Sequence, residues 1–416
     1  MILRLAFASL LARALTVSMT VLAIGLSVAL FLGVEKVRNG AKASFADTIS
    51  GTDLIIGARS GSVQLLLYSV FRIGNATNNV TWQSYQDIAA RPEVEWIVPI
   101  SLGDSHRQFR VMGTTLEFFE HYKYRSGRSL EVSDGILFDD LFDAVIGSDV
   151  AKTLGYNVND PIVVAHGLAS FSEHKDQPFR VSGILRKTGT PVDRTVIVSM
   201  EAIEAIHVDW KNGAQIPGQS TPADTIRQMD LTPKAITAAL VGVESPLRTF
   251  ALQRAINEYR QEPLLAILPG VALQELWGIV GIAETALLAV SSMVVVTALI
   301  GMMATIFSNL NERRREMAIF RAMGARPGTI LTMLVLEAVL MATAGALLGL
   351  ALLYAALVVS QPVVDQAFGL WLPIDAPSFR EFRTMLVVVL AGAIVSAVPA
   401  IRAYRMSLAD GMMVKT

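Results

Sequence analysis

The histidines are the first candidates for a functional site in this sequence, because imidazole can bind a metal or transfer a proton near neutral pH. Of the five histidines, His166 and His174 lie on either side of the short stretch LASFSE, and a hairpin there would bring their rings together. Their spacing is not a recognised zinc-ligand pattern. The sequence therefore predicts no bound metal and leaves His166 and His174 as the candidate ligands. The other histidines are His106, His121 and His207.

Other reactive groups are missing from the sequence. There is no cysteine, which excludes disulfides, thiolate metal ligands and cysteine nucleophiles. A G-x-x-x-x-G-K-[ST] phosphate loop, a G-x-S-x-G elbow and an H-E-x-x-H helix are all absent from it. The formal net charge of −1 gives no indication of a nucleic-acid partner. The sequence thus predicts a protein that is not an enzyme, binds no cofactor directly and has no ATP site of its own.

Composition and hydropathy predict a membrane protein. Charged residues make up only 17% of the chain, against about 25% in soluble domains. Four apolar segments reach the roughly 20 residues that a bilayer-spanning helix needs. The first, residues 14–34, is longer than the roughly 7–15 residues of a signal-peptide core, so we expect it to remain as an anchor. The segments are an N-terminal unit 1–34, which begins with an amphipathic stretch, and residues 277–310, 328–360 and 384–403.

Basic residues predict the orientation of these spans. Loops that are rich in lysine and arginine remain in the cytoplasm. Arginines precede the first span, cluster in the loop 311–327 and recur around the tail 404–416. The sequence therefore predicts that both termini and the 311–327 loop are cytoplasmic. Residues 35–276 and the short loop 361–383 are then extracytoplasmic.

Residues 35–276 have the pattern of an α+β domain. Apolar runs with strand character alternate with helix-like stretches such as 82–90 and 246–259, and this mixture predicts strands and helices packed together. Residues 61–79 are apolar without clear periodicity, which we interpret as a surface hairpin or a partner-binding face. The predicted strands are 53–58, 95–100, 108–113, 144–147, 161–165, 179–185, 195–199, 238–243 and 264–268. The fold class is thus an α-helical membrane protein with four transmembrane helices and a large α+β extracytoplasmic domain between the first two.

Two carboxylates and one small-residue motif lie inside the predicted spans. Glu284 and Glu337 are costly in a bilayer unless they are paired or hydrated. A proton relay is one interpretation, packing or a dimer contact is another for Glu337, and Glu284 is close enough to the span end to reach the outer interface. Gly345 and Gly349 have the G-x-x-x-G spacing that permits close helix approach, although the same spacing also arises by chance in an Ala/Gly/Leu-rich run.

The loop 311–327 contains more than a positively charged anchor. Its apolar residues alternate with charged ones, and Gly324 and Pro327 are expected to end the resulting short helix. A short amphipathic helix beside a membrane can dock on a partner. The apolar positions are Met317, Ile319, Phe320 and Met323.

Several stretches together resemble the FtsX-type permease module, which occurs in the macrolide exporter MacB, in the lipoprotein-releasing LolC and LolE and in the cell-division protein FtsX. The resemblance is specific in RREMAIFRAMGARPGTI (residues 314–330) and in LEAVLMATAGALLGLALL (336–353). It continues in VPAIRAYRMSLADGM (398–412) and in the opening LRLAFASLLARALTVSMTVLAIGLSVAL (3–30). The order of one span, a large domain and three spans is also similar.

This resemblance implies a coupling helix that docks in a groove of a separate cytoplasmic P-loop ATPase, which would supply ATP and Mg²⁺. It also implies a bacterial inner-membrane location and pairing with a second copy or a paralogue, with an adaptor or lipoprotein as a further partner outside and lipid around the spans. Glu337 fits the usual glutamate of its span. The implied coupling residues are Glu316, Met317, Ile319, Phe320, Arg321, Ala322, Gly324 and Ala325.

The function implied by the resemblance is that of a mechanotransmitting ABC permease. ATP binding inside would drive the membrane helices together, and the outside domain would move to export or release a substrate. One alternative is an FtsX-like regulator that activates a periplasmic partner, although such members usually have smaller outside domains. Another is a metal-related periplasmic transport role.

Overall fold

The computed structural model describes most of the chain and divides it into two compact units. The membrane unit comprises Met1–Gly40, Gly281–Val363 and Leu372–Thr416, and the α+β domain comprises Ala41–Val280 and Val364–Trp371. The residues described are 2–125, 127–167, 174, 176–211, 214–216, 221–312, 319, 321–368 and 374–405.

Long apolar helices form the membrane unit, and shorter ones belong to the α+β domain. Within the described residues, four helices are long and apolar enough to cross a membrane, namely α2, α10, α11 and α12 as numbered below. The helices with described bounds are α1 (Ile2–Leu11), α2 (Ala14–Thr48), α3 (Ser62–Ser69), α4 (Trp82–Ala89), α5 (Glu117–His121), α6 (Ser148–Leu154), α7 (Met200–Ile206), α8 (Ala223–Ile226), α9 (Thr249–Asn257), α10 (Pro269–Glu312), α11 (Pro327–Phe368) and α12 (Phe379–Arg405).

The membrane helices are longer than the apolar segments that predict them. Helix α2 continues past residue 34 to Thr48, and α10 begins at Pro269 rather than at residue 277. Hydropathy marks only the length that matches a bilayer core, whereas the backbone hydrogen bonds of a helix continue through polar residues. The predicted domain limits of 35 and 276 therefore fall inside helices, and the compact units divide at residues 40/41 and 280/281 instead.

The α+β domain is built on one mixed sheet. Among the described strands the hydrogen-bonded order is β17-β1-β16-β3-β4-β12-β8-β11-β7, with β10 beside β3 and β9 beside β11. The pairs β4/β12 and β8/β11 are parallel and the other pairs are antiparallel. The strands are β1 (Leu54–Ala58), β2 (Val80–Thr81), β3 (Val94–His106), β4 (Phe109–Thr114), β5 (Lys123–Tyr124), β6 (Arg128–Ser129), β7 (Val132–Gly135), β8 (Asp143–Ile146), β9 (Pro161–Ile162), β10 (Ala165–His166), β11 (Phe179–Leu185), β12 (Thr195–Ser199), β13 (Trp210–Lys211), β14 (Ala214–Gln215), β15 (Ala235–Ile236), β16 (Ala238–Val243) and β17 (Leu264–Ile267).

Both faces of this sheet are buried. Successive side chains of a strand point to opposite faces, so Leu54 and Ile56 join one core and Ile55 joins the other. Helices α4 and α9 cover the first face, and α3 and α5 cover the second. At the other end of the sheet, Val196 and Val198 pack with helices α6 and α7. Burial on both faces explains why the central strands have nearly continuous apolar sequences.

The interpretation of residues 61–79 as a surface hairpin or partner-binding face is wrong for its apolar half. Residues 62–69 form helix α3, and Leu65, Leu66 and Tyr68 are buried in the domain core against β1 and its neighbours. The apolar run lacked a clear period because the short helix is buried on most of its circumference. Only the loop that follows residue 71 is largely exposed.

Candidate functional site

The segment between α10 and α11, residues 313–326, contains the predicted coupling helix. Its described part is helical at Ile319 and again at Arg321, and the N–H of Met323 donates to the carbonyl oxygen of Ile319 at 3.0 Å. The side chains of Ile319 and Met323 are 58% and 70% exposed. Residues four apart share one helix face, so these two apolar side chains form a single exposed patch.

This helical turn ends where the sequence predicts. The N–H of Gly324 donates to the carbonyl oxygen of Arg321 at 3.0 Å, and Gly324 has φ +95°. Glycine adopts this left-handed conformation without steric cost, which is why it is common just past a helix end. Ala325 follows, and Pro327 is the first residue of α11, where its lack of an N–H costs nothing. Gly324 therefore separates the described turn at residues 319–323 from helix α11.

Three of the predicted coupling residues, Glu316, Met317 and Phe320, lie outside the described residues. Ile319, Arg321, Ala322, Gly324 and Ala325 lie within them. The described part alone supplies the exposed apolar pair, so the surface can be tested without the other three positions.

The two glycines of the G-x-x-x-G motif lie against the first membrane helix. A Cβ atom on Gly345 would lie 2.7 Å from Cβ of Ile24, and one on Gly349 would lie 2.7 Å from the carbonyl oxygen of Gly25. Gly25 faces back, since its own Cβ would lie 3.3 Å from the carbonyl oxygen of Gly345. Helices α2 and α11 thus approach at backbone distance, which only small residues permit.

The intramembrane carboxylates have polar surroundings. Glu337 is buried and lines a small cavity together with Arg13, in the turn between α1 and α2, and Asn309 of α10. Glu284 accepts a hydrogen bond from Arg38 Nε at 2.8 Å. Pairing of this kind offsets the cost of burying Glu284 in the membrane unit, and it favours a structural role for that glutamate.

His166 and His174 lie together in the α+β domain, in a cluster with Asp104 and His207. One ligand atom from each of the four side chains lies within 4.8 Å of every other. The antiparallel register of β3 and β10 sets Asp104 opposite His166. His207 directly follows the last turn of α7. The backbone N–H of His174 donates to the carbonyl oxygen of Val164 at 2.8 Å, beside β10.

The surroundings of the two predicted histidines differ. The Asp104 carboxylate, 3.2 Å from Nδ1 of His166, raises the pKa of that ring. Burial, followed by repulsion from His207, lowers the pKa of His174 to about 4. His174 is therefore a neutral imidazole at pH 7. The ring of Trp210 packs on His174 with centroids 4.1 Å apart.

Sequence reasoning missed two members of this cluster, Asp104 and His207. They are far from His166 in the sequence, and no local spacing links them. The available signal was the strand pairing, because the register of β3 with β10 sets Asp104 beside His166. The remaining histidines are elsewhere: His106 contacts the Tyr156 hydroxyl at 3.0 Å, and His121 stacks on Trp96.

Two family models match the chain. That of the MacB-like periplasmic core domain matches residues 17–257, and that of the FtsX-like permease C-terminal domain matches residues 288–408. None of the curated proteins compared with the chain matches it.

The solved structures that are similar to the chain include the following two. One is the periplasmic region of MacB from Actinobacillus actinomycetemcomitans, with 11% identity and a TM-score of 0.34, covering 56% of this chain and 94% of that one. The other is the extracellular domain of the noncanonic ABC-type transporter YknZ from Gram-positive bacteria. It has 13% identity and a TM-score of 0.30, and the match covers 51% of this chain and 98% of that one.

Proposed function

Since this chain belongs to the family of MacB-like and FtsX-like ABC permeases, we propose that it couples ATP hydrolysis by a separate cytoplasmic ATPase to movement of its α+β domain. It is a membrane protein, and we place it in the bacterial inner membrane with both termini and the 313–326 segment in the cytoplasm. The movement of the domain then exports or releases a substrate on the other side. Two copies, or one copy and a paralogue, complete the membrane part.

The observation that carries this proposal is the exposed apolar patch of Ile319 and Met323. Apolar side chains exposed to water at the end of a membrane helix are unfavourable unless a partner covers them. The patch lies among arginines that the positive-inside rule assigns to the cytoplasm. A groove on a cytoplasmic ATPase would bury the two side chains and contact the flanking charges.

The helices offer a route for mechanical transmission. Helix α2 runs unbroken from Ala14 to Thr48 and α10 from Pro269 to Glu312, so each contains residues of both compact units. At residues 40/41 and 280/281, both among the described residues, the chain therefore passes from one unit to the other within a helix. A rigid helix transmits a displacement that a flexible linker would absorb. Closure of the membrane helices by an ATPase would in this way reach the α+β domain.

The double variant Ile319→Asp/Met323→Asp is expected to lose the ATPase. Burying each apolar side chain is worth about 1.5–3 kcal/mol, so loss of both weakens binding by roughly 100-fold or more. The full chain is tagged at its C-terminus, solubilised from native membranes and purified. Co-purified ATPase is identified by mass spectrometry from the peptide that carries its phosphate-loop motif.

The control is Leu247→Asp, which places one aspartate at an apolar residue that is 91% exposed in the α+β domain. It is expected to retain the ATPase. An ATPase that co-purifies equally well with the double variant would contradict the proposed surface. Failure of the wild type to retain any ATPase, under conditions that preserve other membrane complexes, would contradict the proposed function itself.

A further inference from the structure

The cluster of Asp104, His166, His174 and His207 has the dimensions of a metal site. Nδ1 of His166 lies 3.2 Å from Oδ1 of Asp104 and 3.2 Å from Nε2 of His207, and the last two atoms are 3.7 Å apart. Around a tetrahedral zinc ion with bonds of about 2.0–2.2 Å, ligand atoms are separated by about 3.3–3.6 Å. Asp104, His166 and His207 are therefore already spaced as ligands, and a ring nitrogen of His174 lies within 4.8 Å of the ligand atoms of the other three.

The proton arrangement of His207 favours a ligand role. Its Nδ1 donates to the carbonyl oxygen of Ile203 at 2.7 Å, because a carbonyl oxygen can only accept. In the neutral ring this leaves Nε2 without a proton and directs its lone pair at His166 and Asp104. A metal-bound histidine typically has its second nitrogen fixed in this way by a backbone carbonyl.

His174 is the least satisfied member of the cluster. Its ring is 2% exposed, and the Ile206 carbonyl lies beside it. Nevertheless neither ring nitrogen has a partner of hydrogen-bond geometry among the residues that the structure describes. A buried polar group without such a partner destabilises the fold. A cation bound to one of its nitrogens would remove that cost.

The surroundings determine which ion fits and how it enters. Three imidazoles and one carboxylate, without any thiolate, suit borderline divalent ions of the first transition row, with zinc as the usual occupant of such tetrahedral sites. The side chains of His166 and His207 are 40% and 27% exposed, so the cluster is open to solvent on one side. Trp210 closes the side of His174.

We propose that Asp104, His166, His174 and His207 bind one divalent transition-metal ion per chain, zinc among them, in exchange with the surrounding solution. The ion would join three separate parts of the α+β domain: the β3/β10 edge, the end of α7 and the backbone around His174. This site is independent of the coupling surface, since none of its residues belongs to the membrane unit.

The test is zinc binding by the full-length protein, purified in detergent without a polyhistidine tag and stripped of metal with a chelator. Titration with Zn²⁺ against a chromophoric competitor is expected to give one tight site per chain in the wild type. His207→Ala is expected to weaken that site at least tenfold. His121→Ala removes a histidine outside the cluster and is expected to bind zinc as the wild type does.

Thermal unfolding provides a second readout that does not rely on the competitor. Added Zn²⁺ is expected to raise the melting temperature of the wild type and of His121→Ala, but not that of His207→Ala. Asp104→Asn preserves the side-chain size, and it replaces His207→Ala as the test variant if His207→Ala fails to fold. A wild type that binds no zinc, or variants of Asp104 and His207 that bind it as tightly as the wild type, would overturn the proposal.

Discussion

The full-length protein carrying Asp193→Ala is expected to melt roughly 10 °C below the wild type. Asp193 is fully buried in the turn between β11 and β12. It accepts hydrogen bonds from the N–H and the hydroxyl of Thr188, both at 2.8 Å, and from the N–H of Gly189 at 2.6 Å. Lys187 Nζ lies 3.5 Å away. Alanine would leave the two buried N–H groups without an acceptor and would remove one of the two hydroxyl partners of Thr188, at a total cost of about 3–5 kcal/mol. The melting temperature is measured in detergent by intrinsic fluorescence.

Asp230→Ala is the matched control for this variant. Asp230 also accepts from a threonine N–H and hydroxyl, those of Thr232, but it is exposed. Water can replace it there, so we expect little change in the melting temperature. The melting temperature of Asp193→Asn should lie between those of the wild type and Asp193→Ala. The amide oxygen of the asparagine still accepts a hydrogen bond, whereas its NH₂ group faces a donor. If Asp193→Ala has the same melting temperature as the wild type, the turn does not depend on this carboxylate.

Gly349→Leu is expected to destabilise the membrane unit by disrupting the contact between α2 and α11. A Cβ atom at this position would lie 2.7 Å from the carbonyl oxygen of Gly25 and 2.8 Å from Cβ of Val28. Both distances are shorter than the contacts that Cβ atoms make in proteins, and the rest of the leucine side chain adds to the steric clash. Overpacking of this kind costs about 1–3 kcal/mol. We expect a lower melting temperature and a smaller monodisperse fraction on size-exclusion chromatography in detergent.

Gly301→Leu in α10 distinguishes a packing effect from a general effect of leucine in a membrane helix. A Cβ atom on Gly301 would meet no described atom within 4 Å. Leucine is also a better helix former than glycine by about 1 kcal/mol, so this variant should be as stable as the wild type or more so. An equal decrease in melting temperature in Gly301→Leu and Gly349→Leu would contradict the role of the close contact between α2 and α11.

Strands that are buried on both faces were the part of the fold that sequence predicted best. The predicted runs 179–185, 195–199 and 238–243 coincide with β11, β12 and β16. Each is hydrogen-bonded to a strand on either side, and most of its residues are buried, because neighbours on both faces of the sheet select hydrophobic side chains. The prediction was poorer at 161–165, which forms two short strands, because two-residue strands at an edge have no periodicity to detect.

The sequence was less informative about features that depend on contacts between residues far apart in the chain. Helix α3 has no sequence signature of its own, and its burial of Leu65 and Leu66 depends on the sheet beneath it. The histidine cluster was missed for the same reason, because it depends on the folded sheet. His207 comes 41 positions after His166, and only the fold brings the two rings together. The coupling segment behaves differently, since its apolar spacing and its terminating Gly324 are local signals that a single sequence contains.

Mechanical coupling is tested most directly by measuring whether the α+β domain moves when the ATPase binds ATP. The chain has no cysteine, so Leu247→Cys in that domain and Phe379→Cys at the start of α12 can be spin-labelled without competing sites. Both native side chains are exposed. The labelled chain is mixed with an excess of unlabelled chain and reconstituted with its ATPase, and the distance between the labels is measured by double electron–electron resonance.

A non-hydrolysable ATP analogue is expected to shift this distance distribution in the wild type and to leave it unchanged when Ile319→Asp/Met323→Asp is added. A distribution that stays the same in the wild type, although the ATPase is bound and hydrolyses ATP, would contradict mechanical coupling.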